Sequence, residues 1–131
     1  MSEENVEAVR RAAEALNRLD ADAILVLVDE KIVFEPLRSG VEGAFHGHEG
    51  IRKYVRDTAQ SWSQFEVAYG EIRDLGDRVL ATGRVWTRGR GSGVETEVRS
   101  AGLFTFREGR IVHYKDFGDA EAALEAAGLS E

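Results

Sequence analysis

Apolar residues recur every three or four positions through the first sixty residues and every second position afterwards, so the chain divides into a helical half and a β half. Val6, Val9, Ala13 and Leu16 share one face of a helix over about residues 3 to 18, with Arg10, Arg11, Glu14 and Arg18 elsewhere. Asp20 is placed to cap a second, short and very apolar helix carrying Ile24, Leu25, Leu27 and Val28. In KIVFEP, Val33 and Glu35 alternate with Ile32 and Phe34, which predicts a short strand. Pro36 ends it, having no N–H for the ladder. A loop with Gly40, Gly43 and Gly47 leads to a third helix with a stripe of Ile51, Tyr54, Val55, Ala59 and Trp62. From residue 64 the period is two, and turn residues at Gly76-Asp77, Gly89 to Gly93 and Glu108-Gly109 separate about four long strands joined as hairpins. Asp119 and Gly128 bracket a last helix whose buried face is Ala120, Ala123, Leu124 and Ala127. Helices followed by a meander predict an α+β domain with helices on one face of a curved antiparallel sheet. No linker, repeat or low-complexity segment divides residues 1–131, so one domain is expected.

Composition narrows the function classes. With 43% hydrophobic residues in 14.5 kDa, the chain has enough apolar mass for a single core. It has no cysteine, which removes disulfides and thiol chemistry. The 17 Lys and Arg are dispersed among 24 Asp and Glu, giving a net charge of −7 and arguing against a nucleic-acid partner. The acidic start MSEEN is unlike a secretory leader, and the longest apolar run, Ala23 to Val28, is too short to span a bilayer. A cytoplasmic protein without membrane contact is the expectation.

In RIVHYKDFGDAEAALEAAG, residues 110 to 128, a carboxylate, Asp116, stands between Tyr114 and Phe117 where apolar residues would be expected. That segment, together with ALNRLDADAILVLVDEKIVFEP at 15 to 36 and FHGHEGIRKYV at 45 to 55, resembles the nuclear-transport-factor-2-like superfamily and, within it, the SnoaL-like proteins. The resemblance implies a cone-shaped α+β barrel, a curved mainly antiparallel sheet with the N-terminal helices on its concave face. It also implies a cavity for a small apolar or aromatic molecule, chemistry without a cofactor, and a homodimer through the outer sheet face. That outer face is expected to carry Val79, Ala81, Val85, Ala101 and Leu103, bordered by Arg99 and Arg107.

The same resemblance supplies candidate catalytic residues. Asp116 matches the proton-donating acid of the limonene-epoxide-hydrolase branch, if Val112, Tyr114 and Asp116 form the cavity face of the last strand. The alternative is a carboxylate that merely caps or pairs at the strand end. Glu35, before Pro36, matches the general base of ketosteroid isomerases, although the tyrosine and aspartate of their oxyanion hole correspond here to Ala12 and Gly102. Arg84 matches the arginine that bridges two aspartates in the epoxide-hydrolase branch, with Trp86 standing where the second aspartate would be. Asp116, Glu35 and Arg84 are therefore expected to converge on one cavity, with Trp86, Tyr114, Phe104, Trp62 and Tyr54 as its substrate-binding wall. His46 and His48 lack a third ligand at a recognisable spacing, and no metal is expected. Two functions remain open at this point: a cofactor-free acid–base enzyme of isomerase, cyclase or hydrolase type, or a non-catalytic small-molecule-binding or accessory domain.

Overall fold

The computed structural model describes residues 2–37 and 43–128; Gly40 of the expected loop lies outside the described residues. Helix α1 (Ser2–Asn17) and the short α2 (Ala21–Leu25) open the chain, and the Asp20 carboxylate caps α2 by accepting from the Ala23 N–H at 3.1 Å. The second helix is shorter than the sequence suggests. Val28 already begins strand β1 (Val28–Glu35), because Val28 and Ile32 are needed as buried strand residues. A two-residue strand β2 (Phe45–His46), invisible to periodicity, precedes α3 (Gly47–Ser61). Trp62 then starts the meander: β3 (Trp62–Asp74), β4 (Arg78–Gly89), β5 (Glu95–Arg107) and β6 (Arg110–Asp116). Helix α4 (Ala120–Ala126) closes the chain, with Asp119 accepting from the Ala122 N–H.

The six strands form one sheet in the order β2-β1-β6-β5-β4-β3, antiparallel throughout except for the parallel β1–β6 pair. Helices α1, α2 and α3 cover its concave side, and the main core lies between them and the sheet, centred on Val9, Ile32, Ile51, Val79 and Ile111. Curvature has a local cause. A bulge between Tyr69 and Glu71 bends β3 onto β4. Gly83 lies opposite Tyr69, where a Cβ would come within 1.9 Å of the Ala68 carbonyl oxygen. No other residue admits that approach.

Register decides what faces inward. Across β3, β4 and β5 the concave face is built of three rows: Phe65, Thr87 and Thr96; Val67, Val85 and Val98; then Tyr69, Gly83 and Ser100. The intervening rows face outward and are mainly charged around Trp86, with Arg84 paired to Glu97 at 3.3 Å and Arg88 to Glu95 at 2.9 Å. This corrects the expected outer surface. Val79, Ala81 and Val85 point into the cone, whereas Ala101 and Leu103 do face outward but are covered, with Leu80, by Ala123 and Leu124 of α4. The apolar residues expected on a dimer-forming outer face are thus covered within one chain. Replacing Leu124 by Ala should cost about 2–5 kcal/mol of stability in urea denaturation, since the residue seals this second core; a loss below about 1 kcal/mol would mean that α4 does not close the outer face.

Candidate functional site

The cone encloses a cavity of about 330 Å³ between the concave sheet face and the helices. Its walls are almost entirely apolar, with Ile24, Ile51, Phe65, Val67, Val85 and Phe104 among them. That volume is at the lower end of the range for small-molecule pockets. All three tyrosines of the chain, Tyr54, Tyr69 and Tyr114, line it, as does Asp116.

Asp116 is 8% exposed, and four donors converge on it from the described residues. Oδ1 accepts from the Ala101 and Gly118 N–H groups, both at 2.9 Å, and Oδ2 accepts from the Ser100 hydroxyl at 2.5 Å and the Tyr114 hydroxyl at 3.3 Å. A buried carboxylate needs such partners. They come from β5, from β6 itself and from the turn before α4, so the group ties three segments together. Its place at the end of β6 follows from alternation, since Tyr114 and Asp116 share the inward face opposite Phe104 and Gly102. Gly102 is itself a requirement. A Cβ there would sit 2.6 Å from Cε1 and 3.0 Å from the hydroxyl of Tyr114, so the missing side chain leaves the space that the tyrosine ring occupies. Phe34 and Phe104 hold that ring from either side, with centroids at 5.1 and 4.7 Å.

The hydroxyl of Tyr69 adjoins those of Tyr114 and Ser100. A proton inventory then distinguishes the three. Ser100 and Tyr114 each carry one hydroxyl proton and direct it to Asp116, so the proton of Tyr69 is the one not committed to the carboxylate. Burial pushes the Tyr69 and Tyr114 phenols well above their ordinary range, and the Asp116 carboxylate adds to the effect. Both are neutral hydrogen-bond donors at any physiological pH.

The family model of the SnoaL-like domain matches residues 9–114. The chain belongs to the SnoaL-like domain family. Similar solved structures agree on the fold. An NTF2-like protein of unknown function from Burkholderia pseudomallei superposes with a TM-score of 0.79 at 21% identity, covering 93% of this chain and 95% of that one. TerC, co-crystallised with polyporic acid, gives 0.78 at 21%, covering 93% and 96%. A candidate SnoaL-like polyketide cyclase from Jannaschia sp. CCS1 gives 0.78 at 20%, covering 95% and 92%. No curated protein gives a significant match. Among the described residues no helix is long and apolar enough to cross a membrane.

Within this SnoaL-like cavity the expected site is only partly assembled. Asp116 lines it, as do Tyr54, Trp62, Phe104 and Tyr114. Glu35, Arg84 and Trp86 do not. Glu35 lies on the outer face because Ile32 and Phe34 take the inner one, and it accepts from or pairs with His113 Nε2 at 2.7 Å. Arg84 and Trp86 share the outer rows of β4, with the Arg84 side chain 59% exposed and the Arg88 guanidinium 5.6 Å from the Trp86 ring. The trio of Asp116, Glu35 and Arg84 therefore does not converge. His48 Nε2 lies 3.3 Å from the Val28 carbonyl oxygen, holding the start of α3 to β1. Tyr69 and Ser100 were missed. The alternation Phe65, Val67, Tyr69 would have placed the first on the inner face, and placing Asp116 inward would have drawn in Ser100 from the neighbouring strand.

Folding holds the Tyr69 and Tyr114 protons more tightly than the unfolded chain does, whose ordinary tyrosine value is 10.0. This contribution is fully present below that value and is lost as pH rises above it. Unfolding free energies measured on either side should fall by about 1.4 kcal/mol per pH unit for each of the two phenols. Tyr69→Phe should remove about half of that slope, and an unchanged slope would contradict the buried network.

Proposed function

We propose that the cavity takes a small, largely apolar or aromatic molecule with its carbonyl or hydroxyl oxygen turned to Tyr69, and that Asp116 exchanges a proton with it. The supporting observation is the juxtaposition, at one end of a largely apolar cavity, of a carboxylate with a neutral phenol whose proton is not spent on that carboxylate. Proton abstraction next to a carbonyl needs those two groups: a base, and a donor aimed at the oxygen where charge develops. Of the four contacts to Asp116, that of Tyr114 at 3.3 Å is the longest and the one an incoming proton would displace. The Tyr69 phenol substitutes for the oxyanion donors missing at Ala12 and Gly102. The class of reaction is an isomerisation or cyclisation by the chain's own acid and base groups. A cyclase assignment and the polyporic acid ligand among the similar structures are in keeping with it.

One observation favours a second reading. Four donors already satisfy Asp116, as a purely structural tie would require, and the domain would then bind its ligand without chemistry. Deuterium exchange into the enolisable ketone β-tetralone separates the two. The protein should accelerate exchange, Asp116→Asn should reduce the rate by about 10² or more, and Tyr69→Phe by about 10². Exchange that survives Asp116→Asn would rule out the catalytic reading. Trp62 lines the cavity while Trp86 does not, so quenching of Trp62 fluorescence in a Trp86→Phe background reports binding independently. Quenching without exchange would favour the binding domain.

A further inference from the structure

The cavity has a second polar pole that the proposed chemistry leaves unused. Thr87 and Thr96 face each other across β4 and β5, their Oγ1 atoms 3.2 Å apart, and both line the cavity. They form the first inner row, with Phe65. The apolar row of Val67, Val85 and Val98 separates them from the row of Tyr69 and Ser100. Thr96 and Ser100 are four residues apart on one strand, which places the two poles about 13 Å from each other at the usual rise. Thr87 is buried, whereas Thr96 opposite it and Val98 in the next row are exposed, so this pole lies at the open end.

A threonine pair carries two hydroxyl protons, and its mutual hydrogen bond uses one. Among the described residues no other side chain takes up the second proton or the spare lone pairs.

We propose that the Thr87–Thr96 pair is a specificity subsite, so that the ligand is an elongated apolar or aromatic molecule with an oxygen function at each end. One oxygen meets Tyr69 and Asp116, the apolar body lies along Val67, Val85 and Val98, and the second oxygen meets the threonines. The inference rests on the reading that the cavity binds a ligand with its oxygen at Tyr69, but not on whether chemistry follows.

The test compares para-phenylphenol with para,para′-biphenol, which share a two-ring body and differ only in the second hydroxyl. Binding is followed by Trp62 fluorescence in the Trp86→Phe background. The biphenol should bind about three- to tenfold more tightly, the usual worth of one added neutral hydrogen bond. Thr87→Val with Thr96→Val should erase that preference while leaving phenylphenol affinity unchanged, which also shows that the variant is folded. Equal affinities in the parent protein, or a preference that survives the double variant, would overturn the subsite alone. If neither probe binds, the cavity reading fails and the subsite with it.

Discussion

The structure depends on one constraint: a carboxylate inside an apolar cone must be completely hydrogen-bonded. Left without partners, a group like Asp116 would cost several kcal/mol or more. Here the Ala101 and Gly118 N–H groups hold one oxygen while Ser100 and Tyr114 hold the other. These contacts join β5 to the end of β6 and to the turn that launches α4. The same contacts therefore fix where the outer helix begins and how Tyr114 is oriented inside. Tyr114 reaches its position only because Gly102 has no side chain, so a glycine on one strand sets the orientation of a hydroxyl on the next.

Sheet curvature is the second condition. Gly83 and the bulge after Tyr69 let β3 fold against β4, which turns Tyr69 inward at the level of Ser100. Beyond the bulge the inward phase changes, so that Ile72 also packs into the core. That bend brings the Tyr69 hydroxyl to Tyr114 and Ser100, which sets a third donor beside the carboxylate. Fold and site are thus linked through these backbone devices as well as through the contacts of Asp116.

Periodicity made most elements legible: the first, third and last helices, the Asp20 and Asp119 caps and the hairpin turns lie close to where the residue pattern places them, whereas α2 ends early at Leu25 and Trp62 opens β3 instead of closing the third helix. The inward position of Asp116 and the ring residues Tyr54, Trp62, Phe104 and Tyr114 was also accessible. Facing was harder. On β4 both alternating sets contain buried residues, because Leu80 is covered by α4 on one side while Val79 and Ala81 are covered by the main core on the other. Strand parity alone could not choose between them, and the resemblance of Arg84 to a family residue chose the wrong set. For Glu35 the alternation was read correctly, but the inner side belonged to Ile32 and Phe34. The facing of Tyr69 lay in the alternation of Phe65, Val67 and Tyr69, whereas Ser100 depended on which neighbour met Asp116, which local pattern does not encode.

The central claim is that Tyr69 and Asp116 together receive a ligand oxygen at the end of the cone. A crystal structure of the protein soaked with para-phenylphenol tests it most directly. The account predicts the phenol oxygen within hydrogen-bonding distance, about 2.6–3.2 Å, of both the Tyr69 hydroxyl and the Asp116 carboxylate, with the rings against Val67, Val85 and Val98. A ligand bound in the cavity with its oxygen turned to the open end, or bound only outside the cone, would contradict it.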